Sequence, residues 1–409
     1  MVPNGWKSYP LSEVCRKQIS YGIVQTGDDL PNGIPCLRVV DLTKAVMCAS
    51  DMIKTSEEIH HAYKKTILEE GEIVMALRGE VGLVKSIDSS LSGANITRGL
   101  ARISAKKSVV YPEFLLWELR SPKFRSDLMR RVGGSALQEI SLTELRQVRT
   151  LIPPLVEQKK IAKILSTWDK AISTTEQLLA NSQQQKKALM QQLLTGQKRL
   201  LDNNGVRFSG DWKQVKLSKI FERVTTKNNG KSSNVVTISG QQGLIRQEDF
   251  FKKSVASDIL DGYFLLMKGQ FAYNKSYSNG YPMGAIKRLN RYADGVVTTL
   301  YICFEISEST KANGDFWEHY FESGLLNKGL SQIAHEGGRA HGLLNVKPTD
   351  FFSLKVPLPS LDEQQKIAAV LTVADREITI LQQKLAALKQ EKQALMQQLL
   401  TGKRRVKIN

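Results

Sequence analysis

The chain is one unit written twice, and no other feature constrains its fold as strongly. The string A-L-M-Q-Q-L-L-T-G occupies residues 188–196 and again 394–402, an offset of 206 positions. The same offset lays Pro153 on Pro359, Glu157-Gln158 on Glu363-Gln364 and Lys160-Ile161-Ala162 on Lys366-Ile367-Ala368. It also lays Asp169 on Asp375, Arg199 on Arg405 and, near the start, Trp6-Lys7 on Trp212-Lys213. A period this long in 409 residues means two equivalent structural units rather than one large domain.

Each unit has a globular and a helical part. Spaced alternately by 4 and 3 are Ile161, Leu165, Trp168, Ile172, Thr175, Leu179, Ser182, Lys186, Leu189 and Leu193. The second series is Ile367, Leu371, Ala374, Ile378, Leu381, Leu385, Leu388, Lys392, Leu395 and Leu399. An apolar seam with this period predicts a coiled coil, and Lys186 and Lys392 interrupt it at equivalent places, as a register-fixing residue would. Leu-Thr-Gly followed by basic residues predicts each helix end, and prolines with nearby acids mark each start. The globular parts read as mixed α/β, with strands expected over 71–77 and 295–304 and short helices over 111–119 and 315–323. The expected architecture is α/β (α+β). A first globular domain at 1–152 is followed by a first helix at 153–200 and a polar linker at 201–210. A second globular domain at 211–357 and a second helix at 358–409 complete it. The helical parts match at about half their positions, while the heads match only at their edges. Equal scaffolds carrying unequal heads suggest two equal attachment surfaces and two different recognition tasks.

Charge narrows the task. The net charge is +8 over residues 1–206 and +10 over 207–409, so each half is basic by itself. A basic domain usually meets a polyanion, and nucleic acid is the first candidate. No apolar run approaches the ~18 residues of a membrane span, and the N-terminus lacks the pattern of a signal peptide. Cys15, Cys36, Cys48 and Cys303 show no C-x-x-C pairing, so reduced thiols in a cytoplasmic protein are expected.

Catalytic motifs are missing. Pro153-Pro154, the one Pro-Pro pair, is followed by Leu155 and not by the aromatic residue of an adenine-methyltransferase loop. Gly230-Lys231-Ser232 lacks the upstream glycine of a phosphate-binding loop, because position 225 is threonine. There is no G-x-S-x-G elbow, and the five histidines have no metal-ligand spacing. No cofactor or metal is expected. The chain reads as a recognition protein without its own catalyst.

Candidate base-reading residues lie in polar, glycine-containing loops. In the first head these are Arg78 and Glu80 in L-R-G-E-V-G, then Lys85, with Gln25, Arg38 and Arg98; an arginine can bond two acceptors on guanine. In the second head, Asn274, Lys275, Tyr277, Ser278, Asn279 and Tyr281 form the densest hydrogen-bonding stretch, joined by Gln241, Gln242, Arg339 and His341. Amide side chains suit adenine edges, and basic ones suit guanine or phosphate. The repeated string supplies candidate partner contacts: Gln191, Gln192 and Leu194, and their equivalents Gln397, Gln398 and Leu400.

These features together resemble the specificity (S) subunit of type I restriction–modification systems. The resemblance rests on the junctions I-P-P-L-V-E-Q-K-K-I-A-K-I-L (152–165) and L-P-S-L-D-E-Q-Q-K-I-A-A-V-L (358–371), the two L-M-Q-Q-L-L-T-G helix ends, and G-E-I-V-M-A-L-R-G-E-V-G and F-A-Y-N-K-S-Y-S-N-G-Y-P-M-G-A-I in the heads. It covers essentially the whole chain, with Ser360 standing where the first junction has Pro154. It implies two target recognition domains, each reading half of a split, asymmetric DNA site. It further implies two modification subunits that methylate adenine N6 and, where present, a restriction subunit. If the helices pair antiparallel, a helix of about 36 residues and ~54 Å would act as a ruler between the half-sites. Two other readings share some of these features: a stand-alone basic DNA-binding regulator, and a coiled-coil scaffold without a methyltransferase partner.

Overall fold

The computed structural model describes residues 2–134, 138–251, 260–336 and 344–407. The chain divides into two compact units, Met1–Glu176 with Gln383–Asn409, and Gln177–Gln382.

In the first unit, β1 (Lys7–Pro10), β2 (Ser20–Tyr21), β3 (Ile73–Ala76), β4 (Val84–Ser86) and β5 (Leu100–Ile103) precede helix α1 (Pro112–Arg120). Strand β6 (Arg149–Ile152) then leads into the long helix α2 (Leu155–Leu193). β1 and β6 pair antiparallel from Lys7 opposite Ile152 to Pro10 opposite Arg149, which closes the head on itself. The central sheet has the order β2-β5-β3-β4. Strand alternation gives it two packed faces. Ile73, Met75 and Leu77 join a core with Phe114, Leu115 and Trp117 of α1. Val74 and Ala76 join a second core with Leu37, Leu42 and Leu68. The expected strand over 71–77 and helix over 111–119 are β3 and α1.

The second unit repeats this plan. Its strands include β7 (Lys213–Lys216), β8 (Phe221–Val224), β9 (Val236–Ser239), β10 (Gly243–Arg246), β11 (Phe271–Asn274), β12 (Ala285–Arg288) and β13 (Ile302–Ile306). Helix α3 (Gly314–Glu322), strand β14 (Lys355–Leu358) and the long helix α4 (Leu361–Leu399) follow. β7 pairs with β14 from Lys213 opposite Leu358 to Lys216 opposite Lys355, the first unit's register moved by 206. The central sheet, β8-β13-β11-β12, has the same order as the first. Its aromatic core includes Phe271 stacked on Phe304, with ring centroids 5.3 Å apart. The apolar run 295–304 is not one strand. It divides into Asp294–Val297 and the start of β13, because a turn closed by the Tyr301 amide on the Thr298 carbonyl interrupts it.

Each long helix is 39 residues, and none of the twenty seam positions is exposed. Within each unit the helices run antiparallel. In the first unit, Asp169 and Glu176 of α2 meet Lys392 and Lys389 of α4. In the second, Lys186 lies 2.5 Å from Asp375, and Ser182 bonds to Glu377. The two seam lysines therefore each meet one of the repeated aspartates, one pair per unit. Lys186→Glu should place like charges across the seam and destabilise by about 1–2 kcal/mol. The swap Lys186→Glu/Asp375→Lys should recover most of that in denaturant titration; no recovery would mean that the pair does not set the register.

The repeated junction residues act as a set. In the second unit Glu363 accepts from Arg199 Nε (2.6 Å) and Nη2 (2.7 Å) and from Trp212 Nε1 (2.9 Å). In the first, Glu157 accepts from Arg405 and, at 3.4 Å, from Trp6 Nε1. Gln158 accepts from the Tyr111 amide, and Gln364 likewise from the Asn313 amide, so each glutamine holds the start of its head's short helix. Gly196 and Gly402 take φ of 73° and 68° past the helix ends, as a left-handed C-terminal turn requires.

The string 188–196 also docks onto a head. Met190, Leu193 and Leu194 lie in the second unit's core, and Leu399 and Leu400 in the first unit's core. Leu194 and Leu400 were expected at a partner surface, and that expectation is corrected. They are fully buried because the end of each helix covers the apolar face of a sheet and its short helix. Gln191, Gln192, Gln397 and Gln398 are exposed.

Candidate nucleic-acid interface

The two sheets place the sequence-predicted loops at the same point. The loop after β3 (77–83) and the loop after β11 (275–284) are equivalent hairpin connections. Leu77 and Lys275 correspond, since each carbonyl receives a bond from the segment that follows the short helices, through Ile140 and Leu344.

In the first head several segments converge on this loop. The Leu77 amide bonds to the Gly99 carbonyl (2.8 Å), Arg98 to Ile23 (2.8 Å) and Thr97 to Leu37 (2.9 Å). Gln25, Arg38, Arg78, Glu80 and Arg98 thus lie on segments at one end of the sheet. Gln25, Glu80 and Arg98 are exposed. Arg38 is committed elsewhere: its Nε and Nη2 bond to Asp41 at 3.1 and 3.2 Å, and that carboxylate is buried at the start of a short helix, Val39–Thr43. The Asp41 bond holds the Arg38 guanidinium more firmly protonated. Lys85 lies within β4, not in the loop, and its Nζ donates to the Lys44 carbonyl. Both side chains brace the head, and Lys85 is moved from the loop to the strand. Val40, which the sequence reading did not single out, sits exposed on the same helix. Nothing in V-V-D-L-T distinguishes it beforehand from buried Leu42.

In the second head the hairpin loop and the turn between β9 and β10 meet. The Tyr281 hydroxyl lies 2.7 Å from the Gly240 carbonyl and against Glu322, and it accepts from Lys287 Nζ at 2.8 Å. Burial first, and Glu322 second, push this hydroxyl's pKa up. Tyr281 is therefore a strut that fixes the loop to the Gln241-Gln242 turn, not a free reader. Asn274 accepts from the Ser276 amide and shapes the loop. Lys275 is half-buried, and burial lowers its pKa, because strand alternation turns it to the face where the first head has buried Leu77. Tyr277, Ser278 and Asn279 form the exposed tip, with Gln241 and Gln242 exposed beside it. Arg339 and His341 lie outside the described residues.

Among the described residues, no helix is long and apolar enough to cross a membrane. The geometry is that of two like-built heads, each presenting a different set of polar side chains from the equivalent end of its own sheet.

Comparison with known proteins agrees with this organisation. The model of the type I restriction modification DNA specificity domain matches twice, over residues 3–182 and 209–390. The MjaVIII specificity subunit of Methanocaldococcus jannaschii is 24% identical over 377 residues, covering 84% of this chain and 81% of that protein. The putative MjaX specificity subunit from the same organism is 26% identical over 327 residues, covering 75% and 72%. The EcoBI specificity subunit of Escherichia coli is 28% identical over 165 residues; that match spans 40% of this chain and 35% of the relative. Among solved structures, the type I restriction-modification system S subunit from M. genitalium superposes with a TM-score of 0.57 at 13% identity, covering 100% of this chain and 97% of that one. The HsdS subunit from Thermoanaerobacter tengcongensis gives 0.50 at 18% identity, covering 98% of each chain. With its two family domains and two long helices, the chain belongs to the type I restriction modification DNA specificity family, whose members recognise DNA and leave the chemistry to other subunits.

Proposed function

We propose that this chain reads a bipartite, asymmetric DNA site, one half per head, and positions two adenine-N6 methyltransferase subunits on it, in the cytoplasm. A restriction subunit joins the same complex where one is present. The observation that carries this reading is the equivalence of the two hairpin loops: one scaffold position, twice, with unrelated polar side chains. The exposed glutamines Gln191-Gln192 and Gln397-Gln398, identical in both copies, are the proposed contacts for two copies of one partner. The continuous helices give the half-site spacing, and the domain limits proposed from the sequence remain 1–152 and 211–357 for the two reading heads.

The test is methylome sequencing of a host expressing the chain with its methyltransferase subunit. The wild type should yield one two-part motif. Tyr277→Ala and Asn279→Ala should broaden one position of the second half-site by roughly 5- to 100-fold in discrimination and leave the first intact. Tyr281→Phe, which removes the strut's hydroxyl, should instead weaken the whole second half-site. Unaltered motifs from folded tip variants would remove the loop from base reading, and a wild type that directs no bipartite methylation would overturn the function itself.

A further inference from the structure

Arg78 is held in a way that its neighbours do not explain by packing. It is the second residue past β3, on the loop that the first head presents, and it forms an isolated antiparallel bridge with Glu139. Its Nη2 lies 3.0 Å from Glu139 Oε1. Its Nε is buried without a partner, which leaves Nη1 as the one guanidinium nitrogen neither buried nor bonded among the described residues. The stem passes over Gly99, where a Cβ would come within 3.6 Å of Arg78 Cγ and 3.0 Å of Val39 Cγ2. The tight approach is to Val39, while the arginine stem lies at ordinary contact distance from this position. The side chain as a whole is about one-third exposed, at 31%.

We infer that the first half-site contains a guanine read by the Nη edge of Arg78, and that Glu139 is the positioning residue that aims this edge. The inference rests on the DNA-reading function proposed above. Nη2 uses one hydrogen on Glu139 and keeps one; Nη1 meets no acceptor among the described residues. Two N–H groups side by side match the O6 and N7 acceptors of guanine and no other base edge in the major groove. A carboxylate beside the arginine fixes the plane of the fork before DNA arrives, which reduces the ordering cost of binding. The anchor of Arg78, Glu139, comes from beyond α1, so the fork is set by the fold and not by the loop alone.

The experiment uses the complex with its methyltransferase subunits and synthetic duplexes carrying the native motif or a replacement at each first-half guanine. The readout is the ratio of methylation rates, native over replaced. Arg78→Lys should lower that ratio 5- to 100-fold at one guanine. Glu139→Gln should lower it 3- to 10-fold at the same guanine, add nothing in the Arg78→Lys background, and leave every second-half position and the melting temperature unchanged. If no first-half guanine loses discrimination in Arg78→Lys, the inference fails. If Glu139→Gln lowers melting and slows both half-sites equally, Glu139 is only a clip and its positioning role fails. A wild-type complex that methylates no bipartite duplex would overturn the proposed function, and this inference with it.

Discussion

Glu363→Ala is expected to cost the second unit about 3–5 kcal/mol, the usual penalty for stranding a buried charge. Glu363 is 1% exposed and takes three hydrogen bonds, two from Arg199 and one from Trp212. Removing it leaves the Arg199 guanidinium, on a side chain 19% exposed, without its counter-charge. The equivalent Glu157→Ala should cost clearly less. The Arg405 side chain is 42% exposed and can turn to water, and the Trp6 bond is already long at 3.4 Å. Hydrogen exchange should show the Glu363→Ala loss in the second unit and the Glu157→Ala loss in the first. Equal losses would mean that solvent access does not decide the energetics of this junction.

Glu118→Gln is expected to stabilise the first unit at pH 8 by on the order of 4 kcal/mol and to change little near pH 4.5. Burial raises the Glu118 carboxyl pKa from 4.5 to about 8, only partly opposed by the Leu151 amide that it accepts at 2.8 Å. The folded state therefore holds a proton that the unfolded chain releases. The stability of the wild type is complete below the unfolded pKa and declines as pH rises from about 4.5 towards 8. Glutamine keeps the oxygen that Leu151 needs and carries no charge. Denaturant midpoints for both proteins at several pH values should converge at the acid end and separate towards pH 8. Parallel curves would rule out Glu118 as the source of the slope. The second unit explains why an acid sits here at all. Position 357, opposite Leu151 in the repeat, is proline, which has no amide hydrogen to satisfy. Tyr320 stands where α1 has Glu118, counting from the matched helix starts at Tyr111 and Asn313.

The helical scaffold was legible because its requirement is a period. Ile161 to Leu193 and Ile367 to Leu399 show the seam in one dimension, whereas the aspartates that meet its interrupting lysines appear only in the fold. The kinship of the heads was not legible. A sheet face asks only that alternate residues be apolar, and Ile73-Met75-Leu77 meets that demand as well as Phe271-Tyr273 does, with no identity between them. The bonds of individual site residues were not legible for a related reason. Arg38 and Tyr281 look like readers in the sequence, but their commitments to Asp41 and to Glu322 with Gly240 exist only once the chain is folded. Leu194 and Leu400 were misjudged because a repeated string suggested a repeated partner, when the repeated partner is a head of the same chain.

The way the units are cut along the chain has a consequence for synthesis. The second unit is the continuous stretch Gln177–Gln382, whereas the first needs Met1–Glu176 together with Gln383–Asn409. Leu399 and Leu400 complete a core that begins at Trp6, and Arg405 closes on Glu157. At roughly 5–20 residues per second, a ribosome spends about 10–40 s on the intervening 206 residues. During that interval the first head stands with part of its apolar face uncovered, waiting for a segment not yet made. The half of the protein that emerges first is the half that is finished last.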